Sequence, residues 1–325
     1  MPLTAMWKTR ALIFAALVGV SSAAAAEFTV EKSDRGVSVK LDGKLFTEYV
    51  IRSGTKPILW PINGPGGVPL TREYSMRKVA GESHDHPHHR SLWFTHGKVN
   101  GIDFWSESAK AGEIRHRDFA EVRGGSTGRI VALDDWLDHD GEKVCEDRRT
   151  LVFRAAEGQR SIDFDIRITA SNGRLVFGDT KEGSFGLRVA DWLKVDPPGH
   201  GRIINSDGVT DEAAWGKRAS WVDYHAPRGG QGGGGQTLGI AILNHPSSFR
   251  YPTYWHVRTY GLFAANPFGK NELTGVKEKP DGSATVEPGQ SLTFRYRVIL
   301  HEGDEKQAHV AEAFAEYAKE QFDRE

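Results

Sequence analysis

The regular alternation of apolar and polar residues is the feature that most constrains the fold of this chain. Residues 162–168 read IDFDIRI, in which every second residue is apolar. Side chains of a β-strand point alternately to the two faces of a sheet. This period of two therefore predicts a strand with one face in a core and the other face in water.

Two predicted hairpins extend the pattern. Residues 37–51 alternate, turn at Asp42-Gly43 and then resume, and an Asp-Gly pair between apolar runs is typical of a hairpin. Residues 130–137 and 144–153 flank a second turn of the same kind. Further strands are predicted at residues 91–94, 174–177, 185–189, 238–243 and 291–300.

A helical period is strong only near the end of the chain, where one face carries Val310, Ala311, Phe314, Ala315, Tyr317, Ala318 and Phe322. We expect this helix to pack across a sheet. No fixed-period repeat or heptad is found. The glycine-rich residues 228–235 lack the Lys-Ser/Thr pair of a phosphate loop and predict a flexible hairpin connection. The fold class is therefore all-β, a large antiparallel, supersandwich-like β-sandwich with a C-terminal α-helix.

The N-terminal residues predict export. Lys8 and Arg10 precede an apolar run at residues 11–20, and three alanines at 24–26 supply a cleavage site. We therefore expect residues 1–26 to be a signal peptide, residues 27–325 to form a single domain, and the protein to be periplasmic or secreted. The single cysteine, Cys145, cannot form an internal disulfide, so stability must come from core burial.

The composition limits the classes of partner that this chain is expected to bind. The formal net charge of −1 and the absence of a basic run argue against nucleic acid, and no later apolar stretch is long enough for integral membrane association. The chain has nine tryptophans, several of them beside charged residues. Amphipathic rings of this kind stack on sugars as readily as they fill cores, so the predicted partner is a small-molecule carbohydrate.

Residues 84–97 (HDHPHHRSLWFTHG) hold five of the thirteen histidines. Imidazole titrates near neutral pH and can serve as a base, an acid or a metal ligand. The apolar residues that follow predict a strand that would hold this polar loop rigidly. A solvated loop is the alternative explanation for such a cluster.

Three other stretches carry polar groups among large apolar residues. Residues 179–188 place two carboxylates and two cations around a turn, where Glu182 is the best candidate for a carboxylate base and a solvated ion-paired turn is the alternative. Residues 215–224 alternate so that Trp215, Arg218, Trp221 and Tyr224 form an aromatic and cationic wall. In the third stretch, residues 244–269, His256 and Arg258 would share one face of a strand.

Four segments, at residues 88–105, 179–190, 215–224 and 245–269, resemble the DUF6807 family, often labelled "methane oxygenase PmoA-like". The resemblance covers nearly all of the chain after the signal peptide. It implies a role in sugar metabolism, because members occur in bacteria that degrade carbohydrates. The β-rich pattern is also similar in outline to the galactose-mutarotase supersandwich, in which a histidine and a carboxylate act on the sugar ring.

The leading functional hypothesis is an exported carbohydrate-active enzyme of the lyase, hydrolase or epimerase type, with His/Glu acid-base chemistry on a sugar or keto-sugar. Glu182 or His256 would be the base, His89 and Arg90 would stabilise an oxyanion, and tryptophans would stack on the sugar. The catalytic candidates are His88, His89, Arg90, His96, Glu182 and His256. The substrate-binding candidates are Trp93, Asp103, Trp105, Arg188, Trp215, Arg218, Trp221, Tyr224, His245, Trp255, Arg258 and Asn266.

Two alternatives stay open. A non-catalytic periplasmic carbohydrate-binding protein would use the same aromatic and arginine wall. A His-ligated metal enzyme, including the oxygenase that the family label implies, would take a divalent metal as cofactor, with candidate ligands His84, His86 and His88. The cofactor is otherwise undetermined.

The four stretches predict one shared cleft. Their arginines and histidines outnumber their acids, and burying such groups unpaired costs several kcal/mol each. We therefore expect residues 88–90, 182–188, 215–218 and 256–258 to converge on a concave surface that is open to an anionic or oxyanionic ligand.

Overall fold

The computed structural model describes Met1 and residues 26–229, 235–277 and 279–322. Most of the predicted signal peptide, residues 2–25, and residues 230–234 of the glycine-rich run lie outside the described residues. The strands of the first half are β1 (Phe28–Ser33), β2 (Gly36–Leu41), β3 (Lys44–Ser53), β4 (Lys56–Leu59), β5 (Leu92–His96), β6 (Glu113–Arg123), β7 (Gly128–Leu137), β8 (Lys143–Ala156) and β9 (Gln159–Thr169).

The described residues of the second half form nine more strands and two helices. They are β10 (Leu175–Phe177), β11 (Gly183–Arg188), β12 (Arg202–Asn205), β13 (Trp221–Pro227), β14 (Thr237–Asn244), β15 (Tyr254–Val257), β16 (Leu262–Asn266), α1 (Lys270–Thr274), β17 (Ala284–Val286), β18 (Ser291–Glu302) and α2 (Val310–Tyr317). Two single turns of 3₁₀-helix lie at Pro65–Gly67 and Asp211–Ala214.

Two eight-stranded antiparallel sheets form the body of the molecule. The first sheet has the order β1-β2-β3-β4-β5-β11-β16-β15, and the second has the order β12-β13-β14-β18-β9-β8-β7-β6. β10 and β17 form a separate two-stranded ribbon. The fold is thus the predicted all-β sandwich.

The core lies between the two sheets and is rich in aromatic contacts that cross from one to the other. The ring of Phe94 on β5 lies 5.4 Å from that of Phe294 on β18. Phe185 on β11 stacks on Tyr296 with the ring centroids 4.5 Å apart. Fully burying a large apolar side chain stabilises a fold by roughly 1.5–3 kcal/mol, so this layer fixes which face of each strand points inward.

The hairpins predicted from alternation are confirmed. β2 and β3 pair antiparallel around Asp42 and Gly43, whose φ angles of 50° and 75° are the positive values that a two-residue turn of this type needs. β7 pairs with β8, and β8 pairs with β9, which contains the strictly alternating residues 162–168. β13 and β14, on either side of the glycine-rich run, pair antiparallel.

The C-terminal helix packs on the outer face of the second sheet, as predicted. Val310 and Tyr317 of α2 are buried there against Trp221, Leu243 and Ile299. The helix is shorter than the predicted apolar face, since it ends at Tyr317, and Ala311 and Ala315 are exposed. Among the described residues, no helix has both the length and the apolar character that a membrane span requires.

The outer face of the first sheet carries a second, smaller group of buried apolar side chains around Trp93. Trp93 on β5 is paired with Gly186 on β11, where a Cβ atom would lie only 2.5 Å from the indole ring. The glycine therefore lets the indole lie flat across the neighbouring strand. This aromatic floor supports the candidate site.

Candidate functional site

A pocket of about 450 Å³ opens on the outer face of the first sheet. Four segments enclose it: the histidine-rich loop before β5, the turn after β5, the loop before β11, and the end of β15 with the turn that follows. The lining residues are His86, His88, His89, Asp103, Trp105, Ser106, Lys181, Glu182, His256, Arg258 and Tyr260.

A buried ion-pair network holds the histidine-rich loop. Arg188 donates two hydrogen bonds to the carboxylate of Asp85, at 2.9 and 3.0 Å. Arg72 donates to the same carboxylate and also, at 3.0 Å, to the carbonyl of His86. Burial alone would raise the pKa of Asp85, but Arg188, His86 and Arg72 lower it to about 2. Asp85 is thus a permanent anion between two buried guanidinium groups, and it fixes the backbone on which the histidines sit.

Four aromatic rings stack in one column from the pocket to the sheet. His86 lies between Tyr260 and His89, with centroid distances of 5.2 and 4.7 Å and nearly parallel planes. His89 in turn stacks on Trp93 at 5.5 Å. Because the faces of the two imidazoles are covered by neighbouring rings, only their edges, which carry the nitrogen atoms, are available to a ligand.

His256 lines the pocket and keeps a hydrogen-bond acceptor at Nε2. Its Nδ1 lies 2.8 Å from the carbonyl oxygen of Lys181, which can only accept, so Nδ1 carries the proton and Nε2 keeps its lone pair. Burial is the largest cause that lowers the pKa of His256, to about 4. The ring is therefore neutral at neutral pH and can act as a base at Nε2.

His89 has the opposite arrangement. Its Nδ1 lies 3.5 Å from a guanidinium nitrogen of Arg188, which can only donate. The neutral ring therefore carries its proton on Nε2. Burial, followed by the charges of His88 and Arg188, holds the pKa of His89 well below its usual value. The pocket thus contains one imidazole that accepts and one that donates.

His88 lies edge-on to His89, with the ring centroids 4.5 Å apart. Burial and the nearby ammonium group of Lys56 lower its pKa to about 4. Lys56 is itself fully buried, and its Nζ lies 3.0 Å from a carboxylate oxygen of Glu107. Burial lowers the pKa of Lys56 to about 8, against the opposing effect of Glu107.

Glu182 is held at the mouth of the pocket by its own backbone. Its carbonyl accepts a hydrogen bond from the Gly97 amide at 2.6 Å, and a Cβ atom at position 97 would lie 2.8 Å from that of Glu182. Asn266 donates to the carbonyls of Thr180 and Lys181, at 2.8 and 3.1 Å, and so fixes the same loop. Burial raises the pKa of Glu182 above its usual value, although Lys181 opposes the shift.

Comparison with known proteins identifies the family. The model of the family of unknown function DUF6807 matches residues 36–315. The chain belongs to the DUF6807 family. No curated protein matches it in sequence.

Solved structures similar to this DUF6807 protein include several that are 10–12% identical to it in sequence. The α-galactosidase from Lactobacillus brevis is 10% identical with a TM-score of 0.43, and the match covers 85% of this chain and 39% of that one. The chain thus spans about two fifths of the length of that α-galactosidase. A galactose mutarotase related enzyme from Lactobacillus acidophilus is 11% identical with a TM-score of 0.32, over 84% of this chain and 94% of that one.

A putative aldose 1-epimerase from Escherichia coli K12 is 11% identical with a TM-score of 0.29, over 85% of this chain and 99% of that one. The family is therefore the one that the sequence resembled.

The pocket of the DUF6807 protein brings together many of the predicted residues. Eight of them line it directly: His86, His88, His89, Asp103, Trp105, Glu182, His256 and Arg258. Five more contact these lining residues or their loops: Trp93, Arg188, Trp215, Tyr224 and Asn266. Trp215 lies under the guanidinium of Arg258 at 5.3 Å, and the hydroxyl of Tyr224 donates to the carbonyl of Arg258 from the core.

Arg90 lies beside the site, but its guanidinium is already paired with a carboxylate. Its guanidinium donates to both oxygens of Glu107, at 2.6 and 2.7 Å. Arg90 is not among the lining residues, whereas Arg258 is.

The remaining predicted residues lie elsewhere. His96 is on the core face of β5, where its Nε2 donates to the carbonyl of Gly178 at 2.8 Å, because it follows Leu92 and Phe94 in the period of two. Trp255 is buried in the same core. Trp221 and His245 lie beneath the C-terminal helix on the second sheet. Arg218 is exposed and donates to the carbonyls of Pro252 and Tyr251.

The predicted metal ligands do not form one set. His84 stacks on Tyr74 at 4.6 Å and does not line the pocket. His86 Nδ1 donates to Asp85 at 2.6 Å, which leaves only its Nε2 for other partners. The three side chains therefore do not present their nitrogens to a common point.

The sequence patterns did not indicate several residues of the site. Asp85 and Tyr260 directly adjoin the predicted site residues, so their position in the sequence could have indicated them. The sequence carries no signal for Lys56 and Glu107, because they are 51 residues apart and meet only in the folded sheet.

Proposed function

We propose that this DUF6807 protein is a carbohydrate-active enzyme that performs acid-base chemistry on a sugar, or on a sugar oxidised to a keto form, in this pocket. The observation that carries the proposal is that His256, His89 and Glu182 line one aromatic-rich pocket. The Nδ1 contacts of the two histidines favour an accepting Nε2 on His256 and a donating Nε2 on His89. These are the three functions that proton transfer next to a carbonyl needs.

The reaction would begin with proton removal. A carbonyl acidifies the neighbouring C–H bond, and His256 Nε2 would take that proton while the bonding electrons move onto the carbonyl oxygen. His89 Nε2–H and the Arg258 guanidinium would stabilise the resulting oxyanion. In a lyase-type reaction the carbonyl would then re-form, a C=C bond would form and the adjacent C–O bond would break, with Glu182 giving its proton to the leaving oxygen. In an epimerase-type reaction Glu182 would instead give its proton to the opposite face of the carbon as the carbonyl re-forms. The raised pKa of Glu182 favours the protonated form relative to a surface carboxyl.

The aromatic groups would orient the sugar. Trp105 lines the pocket edge-on to His89, and Tyr260 ends the ring column at the opening. Trp215 is 36% exposed beside Arg258 and offers a free ring face at the rim. Sugar rings bury their apolar C–H faces on such rings while their hydroxyls remain hydrogen-bonded. This arrangement supports a carbohydrate rather than a fully apolar ligand.

The test is a screen of purified protein against glycosides and keto-glycosides, followed by product analysis. We expect turnover of at least one substrate, and we expect His256→Asn and Glu182→Gln each to lower kcat/KM by about 10²–10⁴-fold. His139→Asn and Glu287→Gln, at exposed positions outside the pocket, are the matched controls and should leave kcat/KM unchanged.

Two outcomes would overturn the enzyme proposal. Sugar binding that survives both pocket substitutions, with no turnover of any compound, would identify a binding protein. No binding of any glycoside would remove the carbohydrate assignment altogether.

A further inference from the structure

A second cluster of histidines and carboxylates lies on the outer face of the second sheet, away from the candidate site. His225 on β13, Gly239 on β14 and His301 on β18 are direct cross-strand neighbours. A Cβ atom on Gly239 would lie 2.3 Å from the His301 ring and 3.0 Å from the His225 Cβ. The glycine thus leaves a hollow in the sheet surface into which both imidazoles fit.

Two carboxylates complete the cluster. Asp223, fully buried two residues before His225, has one oxygen 2.6 Å from His225 Nδ1 and the other 2.7 Å from His301 Nε2. Glu305, in the turn after β18, lies 3.8 Å from the same His225 nitrogen. In the described part of the chain, this is the place where ligand atoms of three such side chains, Asp223, His225 and Glu305, come within 4.8 Å of one another.

We propose that Asp223, His225 and Glu305 bind one divalent transition-metal ion, with Zn²⁺ as the best match. Zinc takes imidazole nitrogen and carboxylate oxygen at about 2.0–2.2 Å, and three protein ligands leave its fourth position for water. An imidazole ligand disfavours Ca²⁺, which prefers oxygen ligands throughout. Mn²⁺ accepts the same donor set more weakly.

The ligand geometry needs only small side-chain rotations. Tetrahedral ligands on zinc stand about 3.4 Å apart. The distance between the Asp223 oxygen and His225 Nδ1, which is now 2.6 Å with a proton between them, would increase. The distance between the Glu305 oxygen and the same nitrogen, now 3.8 Å, would decrease. The metal replaces the proton on Nδ1, which leaves to solvent.

His301 has a supporting role in this site. Its Nε2–H donates to the Asp223 oxygen that faces away from His225, and this bond aims the second oxygen at the ion. Partners of this kind, bonded to a ligand rather than to the metal, typically change metal affinity 10–100-fold. His301 is also buried and held in place by the hollow above Gly239.

The surroundings attract cations. On its other side, His301 borders a pocket of about 540 Å³. Its described lining includes four glutamates, Glu157, Glu302, Glu312 and Glu316, and no lysine or arginine. A cleft lined by one sign of charge raises the local concentration of counter-ions.

The experiment uses full-length protein without a histidine tag, stripped with EDTA and titrated with ZnCl₂, MnCl₂ or CaCl₂ by calorimetry. We expect one Zn²⁺ per chain, weaker Mn²⁺ binding and no Ca²⁺ binding. His225→Asn and Glu305→Gln should each weaken zinc binding at least tenfold, and His301→Asn should weaken it 10–100-fold. His139→Asn and Glu287→Gln should bind zinc as the parent does.

Thermal unfolding distinguishes a variant that has lost zinc binding from one that fails to fold. Zinc should raise the Tm of the parent protein but not that of Glu305→Gln, whose substitution lies in a turn. Zinc binding that is lost in His86→Asn/His88→Asn and kept in His225→Asn would place the ion in the candidate site and overturn the proposal. The absence of any zinc binding by the parent would also overturn it. Neither result depends on turnover of a sugar.

Discussion

The two histidine clusters contain the same residue types in opposite electrostatic settings. On the first sheet, the charges nearest to His88 and His89 include cations, namely Lys56 and Arg188. On the second sheet, His225 and His301 both face the carboxylate of Asp223. The first setting keeps imidazoles neutral and the second favours a cation, whether a proton or a metal.

This difference shows why residue type alone does not assign function. A neutral imidazole buried among aromatic rings is suited to proton transfer, because its lone pair is available at neutral pH. An imidazole that shares a proton with a carboxylate is suited to exchange that proton for a metal ion. Only the folded arrangement shows which histidine belongs to which class.

The largest expected effect on stability comes from buried neutral imidazoles, of which His256 is one. Its pKa is near 6.5 in the unfolded chain and about 4 in the folded protein. Between these pH values the unfolded state binds more protons, so the free energy of unfolding should fall as the pH drops from 6.5 to 4. The contribution of this one ring is on the order of 3 kcal/mol.

Urea unfolding at pH 7 and at pH 4.5 measures this effect. The loss of stability between the two pH values should be smaller in His256→Asn than in the parent, while the exposed-site variant His139→Asn should match the parent. An equal loss in His256→Asn would show that the folded ring titrates normally, and the contrast between the two clusters would then fail.

The two glycines beneath the clusters provide a matched pair of substitutions with a smaller effect. Gly186→Ala forces a methyl group against Trp93, and Gly239→Ala forces one against His301. Overpacking of this kind typically costs about 1–3 kcal/mol of stability. We expect Gly186→Ala to impair sugar turnover but not zinc binding, and Gly239→Ala to do the reverse. Paired calorimetry and activity assays check this, and a loss of both functions in either variant would link the two sites.

The sequence predicted the strands that have one face in the core and the other face in water. β7, β8, β9 and β18 alternate because one face packs on the core and the other meets water. The short strand β4 escaped prediction, because all four of its residues are buried and Lys56 at its start reads as a surface residue. Its charge is compensated by Glu107, a pairing that only the fold creates.

The sequence did not predict where a site candidate lies when that depends on which sheet, or which face of a sheet, carries the side chain. The alternation within β5 assigned His96 to the same face as Phe94, so the available pattern already favoured the core. Trp221 is on a well-formed strand, but that strand belongs to the other sheet. Strand order across a sandwich depends on long-range pairing, which local periodicity does not encode.

The smallest expected effect concerns the rim of the pocket. Trp215 does not line the pocket itself but lies beside Arg258, whose guanidinium is 5.3 Å from the indole centroid. A cation–π contact at an exposed site contributes about 0.5–1 kcal/mol to holding Arg258 in place, so its loss should weaken ligand binding at Arg258 by no more than roughly two- to fivefold. Trp215→Ala should therefore raise KM for a sugar substrate by about that factor and leave kcat nearly unchanged, because the ring orients the ligand without touching the groups that transfer protons. Arg218→Ala, a nearby exposed substitution at a residue bonded to backbone carbonyls, is the control and should change neither parameter. A kcat that falls with Trp215→Ala while KM stays constant would mean that Arg258 depends on this ring for its catalytic position, and the rim would then belong to the chemistry of the first cluster.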